Sequence, residues 1–322
     1  MQLNVLWNNK SGANEASDNK DLLPDGVSLK VATNLSDAKH LVDWAHILVA
    51  GNPDESLLKG QNLKHVIVPY VGINQNLRES VLAKTHLKLY NSHFNDKLVA
   101  QHAIALLLAC SNLIVPGNRA IKQGDWLWGK ENNSVNLYGK TCLLLGYGAI
   151  AKRVEKTVRA LGMNVIIVKR TMENIEDVTV FTTKDLNVAL EDADVVLVSL
   201  PGTAETKGLL GKEAFDFMKT TTILINVGRG EVIDQFALYE ALKNRSIFAA
   251  GVDVLWNYPE SDTNIIKPSQ APLYDLDNVV MSSHRASHVD GWELLAFKDV
   301  LKTIDAIAKG KARNLVDAKR GY

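Results

Sequence analysis

A glycine-rich stretch, Gly146-Tyr147-Gly148-Ala149-Ile150-Ala151, follows the apolar run at residues 141–145. It opens a segment with apolar residues at helical spacing, which ends at Gly162 before a second apolar run at residues 165–168. A strand, a glycine turn, a helix and a strand in this order predict one strand-helix-strand unit. Ala151, at the last position of the motif, is small enough for the helix to pack closely on the strand.

This turn has the chemistry of a dinucleotide site. Backbone N–H groups at the start of a helix favour a pyrophosphate, and a glycine has no side chain to obstruct its approach. An ordinary tight turn between strand and helix is the alternative, and the complete strand-helix-strand context argues against it. We therefore predict that a nicotinamide dinucleotide binds here, held by Gly146, Tyr147, Gly148, Ala149 and Ile150.

The second strand of this unit ends in a basic segment, Lys169-Arg170-Thr171. A carboxylate at this position would bind the ribose hydroxyls and repel a 2′-phosphate. Two cations and a hydroxyl instead favour the phosphorylated ribose through charge-assisted hydrogen bonds. The segment predicts NADP(H), with a solvated strand end that tolerates NAD(H) as the alternative.

Similar short apolar runs alternate with helix-sized segments along the rest of the chain. One set of runs lies in the first ninety-odd residues and another begins at residue 141, while residues 96–113 and 290–310 have long helical patterns. With 322 residues, two domains are expected. The pattern predicts an α/β protein with parallel sheets, the later one doubly wound as in Rossmann folds.

Composition excludes several classes of function. Lysine plus arginine equals aspartate plus glutamate, at 36 each, so no global charge attracts nucleic acid or an anionic membrane. Residues 1–4 do not resemble the start of a signal peptide and the apolar run at 103–110 is too short to span a bilayer, which predicts a soluble cytoplasmic protein. Cys110 and Cys142 lie in apolar segments, and no spacing typical of a metal site occurs, so no metal is expected.

Beyond the glycine turn, a series of motifs resembles the D-isomer-specific 2-hydroxyacid dehydrogenase family over nearly the whole chain. Their number and order make the resemblance far more specific than the turn alone. The motifs are residues 119–126, Leu137-Tyr138-Gly139-Lys140-Thr141, Ser199-Leu200-Pro201-Gly202-Thr203 with Glu205-Thr206, Met218-Lys219, Asn226-Val227-Gly228-Arg229-Gly230 with Val232 and Asp234, Ala250-Gly251-Val252-Asp253-Val254, Ser282-Ser283-His284, and Asn314-Leu315-Val316-Asp317 with Gly321-Tyr322.

The resemblance implies a cofactor domain at residues 96–286, inserted into a smaller, flavodoxin-like substrate domain formed by residues 1–95 and 287–322. It implies an NAD(P)-dependent enzyme that interconverts a 2-keto acid and a D-2-hydroxy acid, of the glyoxylate or hydroxypyruvate type. The active site would lie in the cleft between domains. Relatives are usually homodimers joined through the cofactor domains, so a homodimer is expected.

Reduction of a 2-keto acid needs a cation for the carboxylate and an acid that protonates the carbonyl oxygen. Arg229 suits the first role because a guanidinium grips a carboxylate bidentately. A structural arginine paired with Asp234 or Glu231 is the alternative that the residues alone leave open, and the resemblance implies the catalytic role. His284 follows the last strand and suits the acid, since the pKa of a histidine lies near working pH.

The sharpest departure from the family is at Tyr258. Most members have a glutamate there, just before a proline, and it pairs with the histidine; here Tyr258 precedes Pro259. A phenol with a pKa of about 10 hydrogen-bonds an imidazole but adds no negative charge at neutral pH. We therefore expect an unshifted His284 and a reductase that loses activity as pH rises through about 6.5. Replacement of the acid by Glu260 is the less favoured alternative.

The resemblance also assigns binding residues outside the glycine turn. Val71 and Gly72, in a loop of the small domain, are implied to meet the substrate carboxylate with backbone N–H groups. Asp253 is implied to accept a hydrogen bond from the nicotinamide carboxamide. The residues expected along the dinucleotide are Leu200, Pro201, Thr206 and Val227.

Two other functions stay open at this point. Formate dehydrogenases of the same family carry a neutral glutamine at the position of Tyr258 and need no proton, so a formate- or phosphite-type dehydrogenase is one alternative. The other is a dinucleotide-sensing binding protein that has lost catalysis. Arg229 and His284, both present, argue against the second.

Overall fold

The computed structural model describes residues 2–73, 75–84, 86–259 and 265–317. Over these residues the strands are β1 Leu3–Trp7, β2 Val27–Val31, β3 Ile47–Val49, β4 His65–Ile67, β5 Lys88–Tyr90, β6 Thr141–Leu145, β7 Asn164–Lys169, β8 Thr179–Thr182, β9 Val195–Val198, β10 Ile223–Asn226, β11 Ala249–Val252 and β12 Val279–Met281. The helices are α1 Ala13–Asp18, α2 Leu35–Leu41, α3 Gln75–Leu82, α4 Asp96–Ser111, α5 Ile114–Lys122, α6 Trp128–Glu131, α7 Ala149–Ala160, α8 Leu186–Asp192, α9 Lys212–Asp216, α10 Gln235–Lys243 and α11 Trp292–Ala308.

The chain divides into two compact units, and the first combines Met1–Asn95 with Val289–Tyr322. Its five strands are parallel and follow the order β2-β1-β3-β4-β5, which is the flavodoxin-like order. Helix α11 covers one face of this sheet, where the ring of Phe297 lies 5.5 Å from that of Trp7 between centroids. Both side chains are almost fully buried.

The second unit is Asp96–His288, with seven parallel strands in the order β12-β11-β10-β9-β6-β7-β8. The strand order reverses between β6 and β9, and an apolar core covers each face of the sheet. This is the predicted doubly wound Rossmann sheet, which is thereby confirmed. In such sheets ligands bind at the carboxyl ends of the strands near the reversal, and the glycine turn follows β6 at that place.

Element boundaries differ little from the sequence expectation. Helix α4 ends at Ser111 and lies wholly in the second unit, which begins at its first residue. The division near the C-terminus falls after His288, two residues later than the sequence predicts. Among the described helices none alone is long and apolar enough to span a membrane, although α4 and α5, bent by 56°, pass by length and composition as a pair.

Candidate active site

The turn has glycines at positions 146 and 148 for different structural reasons. Gly146 has φ +90°, and a Cβ there would lie 2.9 Å from the Leu200 side chain, so the fold itself requires a glycine. At Gly148, before the first residue of α7, a Cβ would meet nothing within 4 Å. The backbone is therefore open to a ligand on that side. Ala151 is fully buried in the core, as close packing of helix and strand requires.

The remaining turn residues surround this opening. Ala149 is exposed at the start of α7, and Ile150 is half-buried against the core. The Tyr147 hydroxyl donates to Glu155 Oε2 at 2.5 Å, and Lys152 Nζ lies 5.4 Å from the Tyr147 ring centroid. Desolvation, with this hydrogen bond, raises the pKa of Tyr147 to about 12, so the side chain is neutral.

Two carboxylates pair with the basic end of β7. One of them, Glu173, is close to it in sequence. Lys169 pairs with Glu173 four residues on. Arg170 Nη2 lies 3.0 Å from Glu205 Oε2, which comes from the loop after β9. Thr171 is exposed beside them. A 2′-phosphate would thus meet cations that two carboxylates already hold.

The loop after β9 is organised by its own threonine. Thr206 Oγ1 donates to the Pro201 carbonyl at 2.6 Å and accepts from the Thr203 N–H at 2.9 Å. Leu200 is half-buried against Gly146, and Val227 is buried at the end of β10. The Thr206 hydroxyl therefore shapes the loop, while Leu200 and Pro201 remain partly accessible.

Arg229 lies between two glycines that let the backbone pack closely. A Cβ at Gly228 would lie 2.6 Å from the Leu200 carbonyl oxygen, and one at Gly230 would lie 2.3 Å from that of Leu255. Arg229 itself is half-buried, with Nη1 donating to the Gly228 carbonyl at 2.7 Å. No carboxylate in the described part of the chain forms an ion pair with it.

Neither ion pair of the structural alternative for Arg229 is present among the described residues. The Asp234 carboxylate caps α10 by accepting from the N–H groups of Phe236 and Ala237 at 2.9 and 3.0 Å. Glu231 likewise makes no ion pair with Arg229. The other N–H groups of the half-buried guanidinium make no hydrogen bond among the described residues.

His284 and Tyr258 meet through their rings. Their centroids are 5.5 Å apart, with the planes tilted by 59°. The Tyr258 hydroxyl accepts instead from the Leu255 N–H at 3.0 Å, so the predicted hydrogen bond between phenol and imidazole is not formed. Within the described residues the His284 ring has no hydrogen-bond partner. Glu260, the alternative partner, lies outside the described residues.

The electrostatic surroundings of His284 correct the expectation of an unshifted histidine. Desolvation lowers the pKa of His284 below its usual 6.5, and the Arg229 cation and His288 lower it further, against an opposing effect of Asp253. Desolvation also raises the pKa of Tyr258, which keeps the phenol neutral. The Arg229 cation thus acts on the pKa of both groups, whereas Tyr258 supplies no charge.

Asp253 holds the segment that carries His284. The carboxylate is almost fully buried and accepts from Ser282 Oγ at 2.6 Å and from the N–H groups of Arg285 and Ala286 at 3.0 and 3.1 Å. Burial alone would raise the pKa of Asp253, but His102 and these hydrogen bonds keep it far below its usual value. Contact of Asp253 with a nicotinamide stays a prediction. The hydrogen bonds that Asp253 accepts from the segment 282–286 show a structural role that the sequence did not predict.

Val71 and Gly72 belong to the first unit. Both are half-buried, and the Val71 carbonyl accepts from Asn91 Nδ2 at 2.9 Å. Among the described residues their N–H groups donate to no acceptor. Two such groups in one loop suit an anion.

Sequence reasoning missed three side chains at these sites: Glu173, Glu205 and His102. His102 Nε2 lies 2.8 Å from Ser282 Oγ although 180 residues separate them. The spacing of Lys169 and Glu173 was a usable signal for the first ion pair. No local pattern announces the other two contacts, because each joins segments that only the sheet topology brings together.

Known proteins similar to this chain support its family assignment. A family model described as the D-isomer specific 2-hydroxyacid dehydrogenase, NAD binding domain, matches residues 104–286, more than half of the chain. A D-3-phosphoglycerate dehydrogenase from Archaeoglobus fulgidus is 33% identical over 267 residues, 82% of this chain and 49% of that protein. A glyoxylate reductase from Pyrococcus furiosus is 31% identical over 290 residues, 87% of this chain and 80% of that protein.

The chain thus spans about half the length of the first of these relatives. Among solved structures, a D-isomer specific 2-hydroxyacid dehydrogenase from Xanthobacter autotrophicus Py2, in complex with NADPH and MES, has a TM-score of 0.80. It is 22% identical, with 100% of each chain covered, and so supports the fold. The extent of the family model and the identity of the relatives confirm the resemblance seen in the sequence: the chain belongs to the D-isomer-specific 2-hydroxyacid dehydrogenase family.

Proposed function

We propose that the chain is an NADP(H)-preferring reductase that converts a small 2-keto acid, of the glyoxylate or hydroxypyruvate type, into the D-2-hydroxy acid. The observation that carries this proposal is the half-buried Arg229, which has no ion-pair partner among the described residues and whose charge lowers the pKa of His284. A relative that spans most of the chain is a glyoxylate reductase. In this proposal the second unit binds the dinucleotide and the first unit is the substrate domain.

Arg229 holds the substrate. A guanidinium donates two parallel hydrogen bonds to a carboxylate, which fixes the orientation of the adjacent carbonyl group. The Gly228 carbonyl already orients one end of the guanidinium through Nη1. The N–H groups of Val71 and Gly72 are proposed to bind a carboxylate as well, since they lack acceptors among the described residues.

His284 supplies the proton. Reduction adds a hydride to the carbonyl carbon and a proton to the carbonyl oxygen, and the imidazolium N–H is the donor of that proton. Because desolvation and Arg229 lower the pKa of His284, its protonated form is scarcer at neutral pH than that of an ordinary histidine, and is a stronger acid. Tyr258 packs its ring on the imidazole and excludes water from one side.

The residues present fit a dinucleotide. The open backbone at Gly148 admits a pyrophosphate, and Lys169, Arg170 and Thr171 would hold a 2′-phosphate. A bound reduced nicotinamide supplies the hydride. Leu200 and Pro201 would line the dinucleotide, while Thr206 keeps their loop in shape.

A substrate panel tests the proposal. Glyoxylate, hydroxypyruvate, pyruvate and longer 2-keto acids are each assayed with NADPH and with NADH, and the product is resolved on a chiral column. We expect the fastest oxidation with NADPH and one of the two smallest acids, and a D-product from hydroxypyruvate. Binding of NADPH without reduction of any acid would contradict the proposal and favour a dinucleotide-sensing protein.

One observation favours a second candidate. The neutral Tyr258 and the lowered pKa of His284 suit a reaction that needs no proton, such as oxidation of formate or phosphite. The same panel therefore includes formate and phosphite with NADP+ and NAD+. Oxidation of either, without reduction of a 2-keto acid, would establish this second function in place of the first.

The homodimer is also a proposal, supported by exposed apolar side chains on and around the neighbouring helices α5 and α6. Trp126 is 78% exposed, and Ile114, Ile121 and Leu127 are exposed too. Monomers rarely expose such patches, so we propose that a second copy of the chain covers this one. Sedimentation equilibrium should give twice the chain mass.

A matched pair of variants tests this surface. We expect Trp126→Asp to sediment as a monomer, because a buried carboxylate destabilises an apolar interface. Val188→Asp, at an exposed valine of α8, should leave the dimer intact. A monomeric wild-type chain, or a Trp126→Asp variant that still dimerises, would contradict the proposal.

A further inference from the structure

Hydrogen bonds from four of the five residues 282–286 converge on one residue. Asp253, directly after β11, accepts with its carboxylate from Ser282 Oγ and from the N–H groups of Arg285 and Ala286. Its backbone carbonyl accepts from the His284 N–H at 2.8 Å. The path of the backbone on both sides of His284 is therefore set by Asp253.

The backbone of His284 needs such support. His284 has φ +53°, a left-handed conformation that is unfavourable for residues with a Cβ. Its ring makes no hydrogen bond within the described part of the chain, and its aromatic neighbour Tyr258 does not fix the ring nitrogens. The direction of the imidazole therefore depends on the backbone that carries it.

His102, on α4, completes this support from another part of the unit. Its Nε2 lies 2.8 Å from Ser282 Oγ and 3.4 Å from Asp253 Oδ1. The Ser282 hydroxyl donates its hydrogen bond to Asp253, so it accepts one from His102. His102 therefore carries a proton on Nε2. His102, Ser282 and Asp253 thus form one chain of hydrogen bonds, which we call the α4 clamp.

We propose that His102 is a positioning residue that acts through the α4 clamp to hold His284 in its working orientation. The inference rests on the proposed function, in which His284 is the proton donor. The clamp also joins the first helix of the second unit to the unit's last segment, since α4 begins at Asp96 and the unit ends at His288. Neither the glycine turn nor Arg229 contacts it among the described hydrogen bonds.

The test compares two substitutions of His102. His102→Phe keeps the size and planarity of the ring but removes the donor, whereas His102→Gln keeps a donor that reaches Ser282. We expect kcat/KM for the 2-keto acid to fall about tenfold in His102→Phe and to stay within about threefold of wild type in His102→Gln. Added to His284→Gln, the His102→Phe substitution should cost nothing more, because both act on the same proton transfer.

A second readout needs no activity. The His284 imidazole of the ligand-free chain is titrated by NMR in wild type and in both variants. His284 is exposed at its edge, and a loosened segment would move its ring away from Tyr258 and Arg229, so the pKa of His284 should rise toward 6.5 in His102→Phe and return in His102→Gln. Ser282→Ala removes the hydroxyl that links His102 to Asp253, with a smaller change of volume, and should have the same effects as His102→Phe. This variant keeps the inference testable if the His102→Phe chain does not fold.

Several results would overturn the inference. One is wild-type kinetics and an unchanged His284 titration in a folded His102→Phe or Ser282→Ala chain. Another is an additive loss in the double variant, or an equal loss in His102→Phe and His102→Gln. If the wild-type chain reduces no 2-keto acid, the proposed function fails, while the NMR comparison still decides whether His102 positions His284.

Discussion

Arg229 and Arg245 are two arginines in very different surroundings. Arg245 is exposed and its Nη2 lies 2.7 Å from Asp277 Oδ1. Arg229 is half-buried and bonds the Gly228 carbonyl, with no carboxylate at ion-pair distance in the described chain. A partly desolvated cation that forms no ion pair is a candidate for binding an anionic ligand.

Substitution of Arg229 should therefore act on the substrate. In Arg229→Gln, loss of a desolvated charge pair costs about 2–5 kcal/mol, which predicts a fall in kcat/KM of roughly 30- to 5,000-fold. Arg229→Lys keeps the charge but not the two parallel donors, and should recover part of the loss. Steady-state kinetics measure both.

The control for this experiment is Arg245→Gln, which breaks a surface ion pair in the same unit. We expect wild-type kinetics from it, since exposed pairs contribute little. Equal activity of Arg229→Gln and Arg245→Gln would show that Arg229 does not bind the substrate.

Glu205 should oppose NADPH. Its carboxylate lies 3.0 Å from Arg170 and would compete with a 2′-phosphate for that guanidinium. We predict that Glu205→Gln binds NADPH about fivefold more tightly with little change for NADH, because an exposed ion pair is worth at most about 1 kcal/mol. Fluorescence titration of each reduced cofactor measures the two dissociation constants.

Glu176→Gln is the matched control, because it removes one exposed negative charge from the chain segment that follows Glu173. It should change neither dissociation constant by more than the general charge effect. Equal tightening by Glu176→Gln and Glu205→Gln, or tightening for NADH as well, would argue against the competition.

At the scale of elements, β4 contains a titratable group in the sheet of the first unit. His65 is partly buried there, and its Nδ1 lies 3.2 Å from the Tyr90 hydroxyl of β5. Desolvation, with nearby Lys88, Lys64 and His46, lowers the pKa of His65 from 6.5 to about 4. The folded chain therefore resists protonation of this residue.

The effect on stability has a definite sign. A histidine whose pKa is lowered by folding stabilises the chain fully above pH 6.5, and this contribution is lost as pH falls from 6.5 to about 4. The full loss is about 3 kcal/mol. We expect His65→Gln to lose less free energy of unfolding than wild type between pH 7.5 and 4.5, as measured by urea unfolding. The exposed His40→Gln should behave like wild type; an identical loss in all three would contradict this.

The elements themselves were largely predictable from sequence. The run at residues 141–145 is short, apolar and bounded by turn residues, and the structure has a strand with the same limits. Fully buried parallel strands impose this pattern locally. The helices α5 and α6 were less clear, because their exposed apolar residues weaken the contrast between a buried and a solvated face.

The site was predictable only where its chemistry lies in one segment. Gly146 and Arg229 stand in motifs that name them, whereas the partners of Arg170 and Ser282 come from other strands and helices. The lowered pKa of His284 also escaped prediction, because it arises from desolvation and from Arg229, 55 positions earlier in the chain. Such effects depend on tertiary neighbours, which a local pattern does not contain.

At the scale of the whole molecule, the chain combines two parallel sheets with different strand orders. The first unit has the flavodoxin-like order and contains Val71 and Gly72, while the second has the Rossmann order and contains Arg229 and His284. The chain enters and leaves the second unit at Asp96 and His288, so this unit is one continuous segment. The first unit, by contrast, is formed by two separate segments of the chain.

The most direct test of the account is the pH dependence of kcat/KM for 2-keto acid reduction, in wild type and in His284→Gln. Because the acid form of His284 is required and its pKa is lowered from 6.5, kcat/KM should fall as pH rises and reach a slope of about tenfold per pH unit above pH 7.5. The His284→Gln variant should be slow and show no such fall. A wild-type profile that stays flat above neutrality, or the same fall in His284→Gln, would contradict the account.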